Sequence, residues 1–473
     1  MRGFLLPIVL PIGIKGPIFY RYNTVMKQTV DLIIEALWLV PIIPKNSLLS
    51  NQAVVIHSGE IIAVCAIEDS QLRYSALETI QLTDHVLMPG FINLHTHAAM
   101  NLMRGLADDL PLMPWLEQHI WPAEQKLLSA NFVYDGTLLA CAEMLRGGIT
   151  TFNDMYFYPE SAAEASIKAG MRANLGLVVL EFATQYANNA ESYIDKGTQA
   201  RDALKNEPLI SFSFAPHAPY TVSDETFATL NTLSAQINIG IHTHLHETIA
   251  EISHSEQAYG MRPVARLAKL GMLGATTTFA HGVHLNAIEM QMLAENGCSI
   301  AHCPSSNLKL ASGIAPIAEY LKQGINIGLG TDGAASNNRL DMLTEMRLAA
   351  LLAKGVSGDA TAVSAHQALE MATINGAKAL GLDDKIGSIE VGKLADLTAI
   401  KLDDINMQPC FDVISHLVYV AEREQVSHVW VNGDLKYHKP NNNAGIYSNI
   451  EPHELVDIVH KWQTKLEVFR STN

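Results

Sequence analysis

Gly90-Phe91-Ile92-Asn93-Leu94-His95-Thr96-His97 decides how this chain is read. It is a short apolar run that ends on two imidazoles spaced two residues apart. In a β-strand, residues i and i+2 project to the same face, so His95 and His97 reach one side of the sheet. Neutral imidazole nitrogen is a common ligand of zinc-like ions. Two histidines in a strand also serve as ordinary hydrogen-bonding groups, so the rest of the chain has to choose.

Seven more stretches of the same texture follow: GITTFNDM from Gly148, RANLGLVV from Arg172, ISFSFAPH from Ile210, IGIHTHLH from Ile239, TTTFAHGVH from Thr276, CSIAHCP from Cys298 and INIGLGTD from Ile325. Helical segments lie between them, among them SAAEASIKAG, DETFATLNTLSAQ and NAIEMQMLAENG. Short apolar runs alternating with helices are the signature of a parallel sheet. Eight of them predict an α/β fold, a distorted (β/α)8 TIM barrel over residues 89–384. All eight runs end in polar or reactive residues, and barrel active sites are built at the C-terminal ends of the strands.

Outside this region the texture is different. VDLIIEALWLV, QAVVIHSGEIIAVC and TIQLTDHVLMPG, split by turns such as His57-Ser58-Gly59-Glu60, read as small antiparallel strands over 26–88. After the helical SAHQALEMATINGAKALGL, strand texture returns in GSIEVGKLADLTAIKL and VSHVWVNGDLKYH, over 385–440. A small β-sandwich domain made from both chain ends is therefore expected beside the barrel. ELVDIVHKWQTKLEVF, within the tail 441–473, reads as an amphipathic surface or subunit-contact helix. Residues 1–25 superficially resemble a secretory leader, but Pro7, Pro11 and Pro17 interrupt any helix and no small-x-small cleavage site follows. They read as a dispensable extension ahead of Met26.

Composition narrows the function. The 473 residues carry a formal net charge of -16, with 48% hydrophobic and 17% charged residues. That predicts a large core and argues against a nucleic-acid partner, which asks for a basic face. No run approaches the roughly 20 apolar residues of a membrane span, so no membrane partner is expected. The five cysteines form no CxxC pair, which suits a reducing, cytoplasmic setting.

Further reactive groups fall at strand ends. His242, His244 and His246 share one face of the fifth strand, and only one of them is needed to extend a site begun by His95 and His97. Glu247 follows where strand gives way to loop, and a carboxylate beside an activated water can shuttle protons. His281 ends the sixth strand and Asp332 the eighth, in the barrel order that a water-orienting imidazole and a carboxylate ligand require. Cys303 beside His302 suggests a nucleophile pair, which becomes unnecessary where a metal activates water.

Together these residues resemble the amidohydrolase superfamily over Met26 to about residue 440. Several stretches are similar to the methylthioadenosine/S-adenosylhomocysteine deaminases and the related chlorohydrolases. They are PGFINLHTHAAMNLMRGLADDLPLMPWLEQHIWPAE, APHAPYTVS, HLHET, AHGVH, HCPSSNLKLASGIAPI and GLGTDGAASNN. The resemblance implies one metal ion per subunit, Zn2+ with Fe2+ or Mn2+ as alternatives, held by His95, His97, His244 and Asp332. It implies Glu247 as proton shuttle, His281 and Asp332 as the groups that take the water's proton, and Glu124 and His217 as substrate contacts beside Glu247 and Asp332. The reaction it implies is hydrolytic deamination of an adenine nucleoside, 5′-methylthioadenosine first, with a homo-oligomer, dimer or tetramer, as the working state. No arginine follows the third strand to meet a homocysteine carboxylate, which disfavours S-adenosylhomocysteine. Met100, Met103 or Trp115 are placed to meet the methylthio group. The alternatives are deamination or dechlorination of another amino-heterocycle (a triazine or guanine) and, in another class, a non-catalytic barrel acting as a binding partner.

Overall fold

The computed structural model describes residues 27–440 and 444–470, with the backbone of Pro7–Ile8 and Ile18–Phe19. The rest of the 1–25 extension lies outside the described residues. Eight parallel strands, β1 to β8, occur where the sequence predicts them: Phe91–Thr96, Ile149–Asp154, Arg172–Val179, Ile210–Pro216, Gly240–Leu245, Thr277–His281, Ser299–His302 and Asn326–Leu329. They pair in chain order, each with the next.

β8 and β1 are not paired as neighbouring strands; hydrogen bonds from the loop after β8 bridge them instead. Asp332 N donates to His95 O at 2.9 Å, and Thr331 N donates to the Asn93 Oδ1 at 3.0 Å. Gly330 makes this approach possible, since a Cβ there would stand 2.9 Å from the His95 backbone nitrogen. The helices that return the chain are set by their caps. The Ser223 hydroxyl accepts from Thr226 N at the start of Asp224–Ile237, and Asn286 and Glu289 form a reciprocal capping box before Ala287–Glu295.

The two chain ends build one mixed eight-stranded sheet. Leu32 and Ile34 from the first half share an apolar interior with Leu397, Ala399 and Trp430 from the second. One expectation needs correcting. Gln28–Leu39 runs parallel, not antiparallel, to Tyr74–Pro89. Between them the chain makes a hairpin, Leu49–His57 with Glu60–Ala66, and then the short helix Ile67–Arg73. That excursion is long enough to bring the chain back in its original direction.

The tail helix Pro452–Leu466 buries Ile458, Trp462 and Leu466. Trp462 packs edge-on against Phe132 and its Nε1 donates to Asp135 Oδ2 at 2.7 Å. Through Trp462 the helix packs on the barrel helix Ala130–Arg146 of the same chain, while Val456 and Val459 stay exposed. Among the described residues no helix is long and apolar enough to cross a membrane. All five cysteines are free.

Candidate active site

The C-terminal ends of β1, β5, β6 and β8 deliver His95, His97, His244, His281 and Asp332 to one place. Ligand-type atoms of His95, His97 and Asp332 all lie within 4.8 Å of one another, as do those of His95, His244 and His281. His95 belongs to both groups, so the two sets form one cluster. Its rings stand 4.9 Å by centroid from those of His97 and of His244. Two residues reach the rim through left-handed backbone, His281 at φ +71° and Asp332 at φ +59°. That conformation is uncommon outside glycine, and it concentrates where function constrains the chain.

The outer nitrogen of each ring is already committed. His97 Nδ1 donates to Met155 O at 2.6 Å and His244 Nδ1 to His217 O at 2.7 Å. His281 Nδ1 donates to Asn307 Oδ1 at 2.8 Å. Each bond leaves Nε2 as the free lone pair, and fixing the tautomer this way is how proteins prepare imidazoles for a cation. Asp332 is prepared likewise: its Oδ2 accepts from Ser306 and Ser336 hydroxyls, both at 2.6 Å. Its Oδ1 and the His95 Nε2 are buried with no hydrogen-bond partner among the described residues. They are 3.4 Å apart. Three to four imidazoles with a carboxylate, two of the donor atoms orphaned in the interior, fit a divalent cation of the zinc kind.

Burial works against charge on His97, but the Asp332 carboxylate raises it to about 9, so a cation bound there would displace its proton. Burial pushes His95 down to about 4, keeping it neutral. Burial works against charge on Asp332 too, but the imidazoles of His95 and His97 hold its carboxyl well below the usual range. Burial raises the Glu247 carboxyl, whose Oε2 lies 3.9 Å from His281 Nε2. Burial pushes Glu124 up to about 7, against the pull of the Tyr156 hydroxyl, which donates to it at 2.6 Å. His217 is lowered to about 3 by burial.

One cavity of about 490 Å³ joins these groups. His97, His217, His244, Glu247, His281, Asp332 and Glu124 line it, and among the described residues none of its lining side chains is Lys or Arg. Its apolar wall includes Met100, Trp115, Leu116 and Phe182. Met103 does not line it: the side chain is buried in the core instead. His95 is fully buried behind the cavity wall. Arg172 lies at the opposite end of β3. There its guanidinium takes Asp396 with two bonds, at 2.9 and 3.2 Å. Cys303 is buried, and burial holds its thiol well above the ordinary range, so it is no nucleophile of this cavity.

Sequence reasoning missed several supports. Glu251 accepts from the backbone N–H of both His246 and Glu247 at 2.9 Å, pinning the turn that carries Glu247. Glu345 accepts from Ser305 N at 3.0 Å and from Asn337 at 2.8 Å, tying the loops after β7 and β8 together. Asp154 accepts from Ala98 N at 2.7 Å just after His97. A carboxylate closing β2 was legible as a strand-end acid. Glu251 and Glu345 sit inside helices, where nothing in the sequence separates them from surface acids.

Known proteins align with this geometry. The amidohydrolase family model matches residues 86–436. A 5-methylthioadenosine/S-adenosylhomocysteine deaminase from Teredinibacter turnerae is 46% identical over 406 residues, 86% of this chain and 92% of the relative. The enzyme of the same name from Saccharophagus degradans is 46% identical over 407 residues, 86% of this chain and 91% of the relative. The solved structure of an adenosine deaminase from Xanthomonas campestris with bound zinc superposes with a TM-score of 0.91 at 43% identity, covering 93% of this chain and all of that one. A match over most of the chain, at such identity and with the same barrel, is the mark of common descent: the chain belongs to the amidohydrolase family.

Proposed function

We propose that the chain is a metal-dependent deaminase that hydrolyses the 6-amino group of an adenine nucleoside, with 5′-methylthioadenosine as the preferred substrate. The observation that carries this reading is the single cavity shared by the His/Asp cluster, Glu247 and Glu124. The names of the relatives support the same chemistry.

His95, His97, His244 and Asp332 would hold one zinc-like cation, which supplies Lewis acidity that lets water act as a nucleophile near neutral pH. As the water oxygen bonds to C6, Asp332 and His281 take up its proton. Glu247, whose carboxyl burial shifts toward the protonated form, gives its proton to ring N1, where negative charge would otherwise collect. The C6–N bond then breaks, the retained proton goes to the departing amine, the C6 hydroxyl returns its remaining proton to Glu247, and ammonia and the 6-oxo nucleoside are released. Glu124 accepts from the ribose hydroxyls, and the His217 ring, beside His244 at 4.8 Å by centroid, packs against the substrate. The apolar wall suits a methylthio group. A homocysteine carboxylate finds no cation among the described lining residues, which supports methylthioadenosine over S-adenosylhomocysteine.

The test is a steady-state comparison of methylthioadenosine, S-adenosylhomocysteine, adenosine and guanine, reading ammonia, on protein of measured metal content. Highest kcat/KM on methylthioadenosine is expected. Turnover of guanine alone would overturn the nucleoside assignment.

A further inference from the structure

The interior of a TIM barrel is ordinarily filled by layers of bulky branched side chains. Here the layer beneath the cluster is polar. Asn174 Nδ2 donates to Asn153 Oδ1 at 2.7 Å and to Ser213 Oγ at 3.0 Å, and Ser211 Oγ donates to Asn174 Oδ1 at 2.9 Å. These residues line a second cavity of about 560 Å³, which also takes in Gly240 and Thr276 at strand starts. It therefore belongs to the N-terminal end of the barrel, opposite the active-site rim. At its inner end is His242, whose side chain is fully buried.

His242 touches the proposed cation site from behind: its Nε2 lies 3.0 Å from the His95 Nδ1. If His95 is to offer Nε2 to a cation, its proton must sit on Nδ1 and be donated to His242 Nε2. His242 then carries its own proton on Nδ1. That atom is buried and has no hydrogen-bond partner among the described residues. An unsatisfied buried N–H is costly, and a polar cavity of this size admits water that can accept it.

We propose that His242 is a positioning residue for the cation site, holding His95 in its metal-binding tautomer by accepting its Nδ1 proton while donating to water in the polar floor of the barrel. This rests on His95 being a ligand, as proposed above. His242 lies outside the active-site cavity, so it acts through His95 and not on the substrate.

Zinc affinity, read by chelator competition on the full chain, tests the idea with a signal other than turnover. His242→Met and His242→Leu fill the site without accepting a hydrogen bond, and either one suffices should the other not fold. Each weakens zinc binding by about 10- to 100-fold. His242→Gln can still accept from His95, and it binds zinc about tenfold more tightly than the apolar variants. Melting curves of the metal-free proteins report whether the barrel is intact. Equal zinc affinity in the parent, the folded apolar variants and His242→Gln overturns the proposal. His95→Ala separates the two readings. If it binds zinc like the parent, the ligand assignment itself fails. If it loses zinc while the apolar His242 variants do not, only the role of His242 fails.

Discussion

Glu247 must hold a proton to donate one, and burial at the turn after β5 favours that form, against the pull of His281 beside it. Glu247→Gln keeps the shape but removes the exchangeable proton. A fall in kcat of about 10²- to 10⁴-fold is expected, with zinc content unchanged by elemental analysis. Glu124 has the opposite need, since it accepts from hydroxyls only when ionised. Burial places its midpoint at about 7. Ionisation is therefore complete only above neutrality, and KM should rise as the pH falls through 7. Glu124→Gln should raise KM at high pH and flatten that dependence, seen in KM–pH profiles from 6 to 9. At this scale the sequence was highly legible, because each strand-end histidine and carboxylate arrived in barrel order. Choosing His244 from its neighbours at His242 and His246 needed more, because period 2 puts all three on one face. The structure separates them: His244 enters the cavity, His242 backs His95, and His246 Nδ1 lies against His284 O at 3.3 Å.

Single elements turn these residues into a site. The loop after β7 starts the short helix Pro304–Lys309, which supplies both Ser306 to Asp332 and Asn307 to His281. Asn307→Ala leaves the imidazole free to rotate. A loss in kcat of about 10- to 100-fold is expected, and bound zinc should stay near the parent value by the same elemental analysis. The strands could be read because their apolar runs end in reactive residues. The clamps could not, because a serine, an asparagine or a glutamate in the first turn of a helix acquires meaning only from the backbone it meets in three dimensions. Parallel pairing of Gln28–Leu39 with Tyr74–Pro89 was hidden for a related reason: direction depends on what the intervening segment does, and Ile67–Arg73 carries no apolar periodicity to announce a helix.

At the scale of the whole molecule, the barrel and the β-domain are joined by a buried ion pair. Arg172 on β3 meets Asp396 across the seam, and the Asp396 Oδ1 also accepts from Asn432 N at 2.8 Å. Removing the cation leaves a carboxylate stranded in the interior. Arg172→Ala should lower stability by about 3–5 kcal/mol in urea titrations, with kcat of the folded fraction near the parent value because Arg172 lies at the far end of the barrel from the cavity. A large loss of kcat in fully folded Arg172→Ala would mean that the two regions are coupled in catalysis. The central claim concerns a single cation at His95, His97, His244 and Asp332. It is tested most directly by stripping the protein with chelator and titrating zinc back while ammonia release from methylthioadenosine is followed. The account predicts that the stripped chain is inactive and that the rate climbs linearly, levelling off at one zinc per chain. Full turnover without metal, or a plateau reached only at two, would contradict it.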